Sequence, residues 1–252
     1  MRILVTNDDG IDSEGLIALR KALSGVGETV VIAPNHNWSA AGHTKTMHKP
    51  LRVTKVAMRD GGEGYACDGT PSDCVAMGML GVAGERPSLV VSGINKGANL
   101  GGDVTYSGTV AAAMESAVNG VPGIAVSLAS YHDWDFALAA EFAARLATRV
   151  LEKGIAPDVL LNVNVPSVAR ERVRGIAVTR LGKRIYRDKL IERQDPFGRS
   201  YYWIGGDEPT GRAEEGTDIW AIANEFISIT PMQMDLTDYA EIDRLKGWGL
   251  SL

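Results

Sequence analysis

The sequence predicts an α/β protein built on a doubly wound, mainly parallel, Rossmann-like sheet. Short apolar runs bounded by glycine or polar residues recur from Arg2 to Pro166, as buried parallel strands do. Amphipathic stretches with helical spacing separate them, which is the alternation of a parallel sheet with helices on its faces. The length of 252 residues and a hydrophobic fraction of 45% are enough for a substantial core.

The first apolar run, Ile3 to Val5, reads as a buried strand that ends in Asp8, Asp9 and Gly10. Adjacent carboxylates repel unless a cation lies between or beside them, so the pair asks for a metal. An Asx turn in which both acids cap the backbone before Gly10 accounts for the same letters. Ser13 can cap a helix carrying Leu16, Leu19 and Leu23, which Gly25 or Gly27 would end. Residues 29–33, closed by Pro34, form the next strand and complete a right-handed βαβ unit.

Residues 35–48 are polar and hold three of the four histidines. Following a strand, they should project from the same sheet edge as Asp8 and Asp9, where Ser39 can present a hydroxyl. His43 and His48 lack the H-E-x-x-H arrangement of a zinc helix. Residues 51–58 and 64–67 read as a hairpin around a Gly-Gly turn. Thr70, Pro71 and Asp73 suit the N-cap, first and third positions of a helix, as a capping box requires, and Asp68 is left to face the site. Val75, Met77 and Met79 then belong to the core.

After a strand over 88–92, residues 93–109 read as a long loop rich in glycine and asparagine, without secondary structure of its own. Such a backbone can curl its amides around an anion. The loop delivers Ser107, Gly108 and Thr109 to an alanine-rich helix over 110–119, ended by Gly120. That helix would aim unpaired amides and its positive dipole end above the sheet, where phosphate is the natural guest. An ordinary Ser or Thr cap on a surface loop is the competing explanation.

Strands over 123–128 and 159–165 flank a helix over 136–151, with Gly154 and Pro157 ending it. Residues 176–180 add a strand. Residues 180–202 are basic and aromatic, but interspersed acids and Pro196 favour a solvated hairpin or subunit contact over a nucleic-acid arm. A polar turn over 214–220, a strand over 226–231 and a tail around Trp248 that packs on a neighbour complete the chain.

Several function classes lose their support. A net charge of −5 argues against a general nucleic-acid partner. The P-loop and G-x-G-x-x-G signatures are absent. Asn7 stands where a haloacid-dehalogenase-type phosphatase would carry its nucleophilic aspartate, which leaves metal-activated water as the expected attacking group. Cys67 and Cys74 have neither redox-motif spacing nor the density of a secreted scaffold, so reduced, partly buried thiols are expected. The start turns polar too soon for a signal peptide and no apolar run spans a membrane, which points to a cytoplasmic protein.

Four motifs in order, Asn7-Asp-Asp-Gly-Ile11, Cys67-Asp-Gly-Thr-Pro71, Ser92-Gly-Ile-Asn-Lys-Gly97 and Tyr106-Ser-Gly-Thr-Val110, resemble the SurE family of survival-protein nucleotidases. Leu161-Asn-Val-Asn-Val-Pro166, Thr179-Arg-Leu-Gly182 and Ser228-Ile-Thr-Pro231 extend the likeness almost to the end. The resemblance implies a SurE-like fold and a metal-dependent 5′-nucleotidase that hydrolyses nucleoside monophosphates, with 3′-nucleotides and short polyphosphate as further substrates.

The same resemblance implies one Mg²⁺ or Mn²⁺ per subunit on Asp8, Asp9, Ser39 and Asn95, with Asp8 and Asp9 also catalytic. Phosphate contacts fall on Asn95, Ser107, Gly108 and Thr109, and His43 is the candidate proton donor. It further implies a catalytic domain over 1–180, with residues 181–252 as a dependent extension exchanged within a homodimer or homotetramer. The competing function is a regulator that binds nucleotide and metal without turnover.

Overall fold

Alternation along the first strand decides how the sheet is covered. In the computed structural model, which describes residues 1–156, 158–206 and 210–250, β1 (Arg2–Thr6) sends Ile3 and Val5 to one core cluster and Leu4 to another. The expected helix end at Pro157 lies outside the described residues. α1 (Glu14–Leu23) starts where Ser13 Oγ accepts the Leu16 N–H at 3.3 Å, and it buries Leu16, Leu19 and Leu23 against Ile3 and Val5. It stops at Leu23, before either expected glycine, with Ser24 as its C-cap.

β2 (Glu28–Pro34) pairs parallel to β1. β3 (Val53–Ala57) and β4 (Glu63–Cys67) form the expected hairpin, and β4 extends the main sheet parallel to β2. α2 (Pro71–Met79) carries the capping box: Thr70 Oγ1 accepts the Asp73 N–H at 3.1 Å and Asp73 Oδ2 accepts the Thr70 N–H at 2.9 Å. Its Cys74 and Val75 pack with Leu4 on the face opposite α1. Cys67 and Cys74 are free thiols, fully buried where partial burial was expected.

β5 (Leu89–Lys96), α3 (Gly108–Val118), β6 (Gly123–Ala129), α4 (Ala137–Lys153) and β7 (Val159–Pro166) continue the winding. α4 joins α1 on one face through Phe142, Ala143 and Ala147. α2 and α3 cover the other. The long loop expected over 93–109 is shorter than its composition suggested. β5 runs on to Lys96, because Asn95 and Lys96 regain β6 partners after a register shift, and Gly101–Thr105 form a 3-10 turn.

β8 (Gly175–Val178) precedes two short strands, β9 (Arg184–Ile185) and β12 (Thr210–Gly211), which pair with each other and bracket a ribbon of β10 (Asp188–Gln194) and β11 (Ser200–Gly206). The polar turn expected over 214–220 instead leads into α5 (Asp218–Ala223), capped by Thr217 Oγ1. β13 (Phe226–Gln233) then enters the main sheet, antiparallel to β7 and parallel to β8. The chain finishes with α6 (Tyr239–Lys246), a helix whose signal, the Asp238 cap, the sequence reading missed. Residues after 180 thus contribute one strand of the nine to the main sheet, in the order β3-β4-β2-β1-β5-β6-β7-β13-β8. Among the described residues no helix is long and apolar enough to cross a membrane.

The strand order positions the site. The chain leaves β1 for β2 on one side and later places β5 on the other, so the carboxyl ends of β1 and β5 open at a topological switch point. Open α/β sheets hold their ligands in such crevices.

Candidate active site

Asn7, not the acids beside it, closes the turn after β1. Its Nδ2 donates to Gly10 O at 3.1 Å and to Ser13 Oγ at 2.7 Å, and its Oδ1 accepts the Gly10 N–H at 3.3 Å. Asp8 and Asp9 are therefore released from the capping role that the sequence left open.

Asp8 is only 4% exposed, and Thr109 Oγ1 donates to its Oδ1. Burial pushes its carboxyl up to about 6; hydrogen bonding from Thr109 pulls the other way and the neighbouring Asp9 charge adds to the rise. Asp9 is also raised by burial, against the Lys96 charge. Its Oδ2 is buried without a hydrogen-bond partner among the described residues. A desolvated anionic oxygen with no donor is costly unless a cation supplies the missing charge.

Asp8, Ser39, Asn95 and Ser107 line one cavity of about 250 Å³, together with Lys96, Asp103, Tyr106 and Tyr131. Ser39 arrives on a strap pinned by the Trp38 N–H to Asp8 O at 2.8 Å and by the Gly42 N–H to Tyr106 O at 2.9 Å. Asn95 gives one Nδ2 hydrogen to Gly97 O at 2.9 Å, which fixes the side chain with Oδ1 and a second Nδ2 hydrogen to offer. Ser107 caps α3, its Oγ accepting the Val110 N–H at 3.1 Å. A roomier cavity of about 520 Å³ lies where Leu128 and Pro166 meet the start of α4, but it contains none of these residues.

The cavity's other wall is the stretch after β5, held by buried amides. Asn164 Oδ1 accepts the Asn99 N–H at 2.8 Å, while Asn162 and Asn164 donate to Asn99 O at 2.9 and 3.0 Å. Asp218 accepts the Gly101 N–H at 2.8 Å. The asparagines of the 161–166 motif therefore act from beneath the sheet edge on the loop that shapes the site.

Three expectations meet a different arrangement. Thr109 is fully buried and turned to Asp8, and neither it nor Gly108 nor Asp9 is on the cavity wall. His43 Nε2 lies 3.0 Å from Glu115 Oε2, and His43 is not on the cavity wall. Asp68 is not free: its Oδ1 accepts the Arg52 N–H at 2.8 Å and its Oδ2 pairs with Lys49 Nζ at 3.5 Å.

A family model described as Survival protein SurE matches residues 3–188. The chain belongs to the SurE family. It is 54% identical to the 5′-nucleotidase SurE of Chloroflexus aggregans over 250 residues, covering 98% of this chain and 99% of that one. Against the 5′-nucleotidase SurE of Geobacter sulfurreducens it is 49% identical over 252 residues, covering 100% of this chain and 95% of the other. The crystal structure of the SurE protein from Aquifex aeolicus superposes with a TM-score of 0.84 at 42% identity, over 98% of this chain and 99% of that one.

The strap of this SurE chain has one further anchor. Glu115, buried in α3, binds His43, Lys45 Nζ at 2.7 Å and Asn119 Nδ2 at 2.8 Å. Burial is the largest influence and pushes the carboxyl up, yet the hydrogen bonds from His43, Lys45 and Asn119 and the Lys45 charge together hold it below its ordinary value. A carboxyl lowered on folding adds stability above its unfolded pKa of about 4.5 and loses it as pH falls through the folded value. The urea midpoint should accordingly fall as pH drops below about 4.5. Glu115→Gln should flatten that part of the profile, which denaturation at a series of pH values measures.

Proposed function

We propose that this chain is a metal-dependent 5′-nucleotidase, releasing inorganic phosphate from nucleoside monophosphates. The observation that carries the reading is the pair Asp8 and Asp9 at the switch point, desolvated and freed from turn closure by Asn7. The names of the relatives supply the activity.

The residues fit a divalent ion, because the orphaned Asp9 Oδ2 and the raised Asp8 carboxyl both call for positive charge. Asp8, Asp9, Ser39 Oγ and Asn95 Oδ1 would hold it. Two carboxylates, a hydroxyl and an amide carbonyl make a mixed, all-oxygen donor set. That chemistry suits one Mg²⁺ or Mn²⁺ per subunit. Such an ion neutralises phosphoryl oxygens and makes water more acidic.

The chain's own groups do the rest. Phosphate monoesters hydrolyse so slowly that catalysts reach accelerations of roughly 10²¹-fold, mostly through alignment and charge stabilisation. The Ser107 hydroxyl and the second Nδ2 hydrogen of Asn95 would hold the phosphoryl oxygens, with the positive end of α3 behind them. Lys96 adds a cation that the sequence reading did not assign to the site. The carboxylate oxygens of Asp8 and Asp9 orient the attacking water and take up its proton. 3′-Nucleotides and short polyphosphate belong to the same reading, as does a cytoplasmic setting, which the free buried thiols support.

Phosphate release from AMP should require added Mg²⁺ or Mn²⁺ and disappear with EDTA. A regulator without turnover would bind AMP and release nothing, and that result would retire the enzyme reading.

We further propose that the extension over 181–252 assembles a homodimer or homotetramer by exchange of its ribbon. Among the described residues β10 and β11 pair only with each other. Opposed residues put Leu190 and Ile204 on one face and Ile191 and Trp203 on the other, all exposed. A lone ribbon apolar on both faces is marginal in water and asks for cover from a second copy. The double change Trp203→Glu, Ile204→Glu should yield monomers in sedimentation velocity. An unmodified chain that sediments as a monomer defeats the assignment.

A further inference from the structure

The geometry points to Tyr131 as the platform on which the substrate's nucleobase stacks, an assignment that rests on the nucleotidase reading and specifies how a nucleotide is told from a bare sugar phosphate. The wall of the 250 Å³ cavity holds two aromatic side chains, Tyr106 and Tyr131. Tyr106 directly precedes Ser107, at the end that receives phosphate. Tyr131 comes from the loop between β6 and α4, which supplies none of the candidate metal or phosphate groups.

That loop is braced. The Ser130 N–H donates to Leu128 O at 2.8 Å, the His132 N–H to Ser130 Oγ at 3.1 Å, and Trp134 Nε1 to Ser130 O at 3.1 Å. Lys96 Nζ sits 4.1 Å from the centre of the Trp134 ring and ties the loop to the end of β5. The Tyr131 ring itself rests on Gly97, where a Cβ would come within 3.1 Å of Tyr131 Cε1. Gly97 has φ +113°, so no other residue easily takes its place. The ring is seated from below, yet the residue is 51% exposed.

A large ring held in place with open area beside a polar cavity is ready to accept a flat apolar surface at little ordering cost. Acids, hydroxyls, amides and Lys96 supply the polar part of the remaining wall and answer the phosphate and ribose of a nucleotide. Only the base needs a π surface. Stacking is tolerant of base identity and grows with overlap, so this platform takes all nucleoside monophosphates and favours purines.

Steady-state kinetics with Mn²⁺ on AMP and ribose 5-phosphate, for the full chain and for Tyr131→Ala and Tyr131→Phe, test the assignment. Tyr131→Ala should raise KM for AMP about 10-fold with kcat kept. It should leave ribose 5-phosphate hydrolysis unchanged, and Tyr131→Phe should behave as the unmodified protein. Equal losses on both substrates in Tyr131→Ala, or no loss on AMP, overturn the platform while the phosphatase reading stands. An unmodified protein that releases phosphate from neither compound overturns the nucleotidase reading, and the platform with it.

Discussion

Asp9→Asn is expected to lower phosphate release from AMP by at least about 100-fold, the scale on which removal of one preorganised electrostatic partner acts. The far-ultraviolet circular dichroism should stay unchanged. Asp9 is half-buried, and its Oδ2 has no hydrogen-bond donor among the described residues. Its other contacts are few: Asn37 Nδ2 lies 3.4 Å from Oδ1, and the Lys96 charge acts on the carboxylate. Asparagine keeps the shape and removes one of the two anions that would hold the proposed cation. Without metal, the change also removes a desolvated charge and its repulsion of Asp8, so the variant should melt at a higher temperature than the unmodified protein. Opposite signs for stability and activity are the mark of a residue kept for its chemistry. Activity within about tenfold of the unmodified protein would place the cation elsewhere.

The same residues explain which features were legible in the sequence. Local signals held where the physics is local. Ser13 and the box of Thr70 and Asp73 start their helices as read, because a cap needs only its own first turn. Asp8 and Asp9 were legible as a pair, but not the reason they are free. The turn they might have closed is closed by Asn7, which reaches across to Ser13. Long-range pairing was illegible: β13 returns from the far end of the chain to pair with β7, and no spacing in the sequence encodes that partner. The partner of His43 was out of reach for a similar reason. A histidine beside a candidate ligand suggests catalysis until its partner is seen, and Glu115 lies 72 residues away. Tyr131 had no motif around it, and only the fold brings it to Gly97.

Gly108→Ala should place a methyl against Asp8 and disable the site. Alanine is favoured over glycine inside a helix by about 1 kcal/mol, so an unobstructed change in α3 would stabilise it. Here a Cβ would lie 2.7 Å from Asp8 Cβ and 3.0 Å from Asp8 Oδ2. Neither atom can yield easily. Asp8 is buried at the end of β1 and held by Thr109 Oγ1 one residue further along α3, so displacing the carboxylate also strains the hydrogen bond that steadies it. Overpacking of this kind costs about 1–3 kcal/mol, which cancels the helix gain or exceeds it. The effect on chemistry is larger than on stability, because a misplacement of about 1 Å can cost 10²-fold in rate. The expected result is a folded protein with a melting temperature equal to or below that of the unmodified chain and kcat/KM for AMP lower by about 100-fold. Full activity in Gly108→Ala would mean that the α3 terminus and Asp8 do not have to meet for turnover, and the site would have to be sought away from this contact.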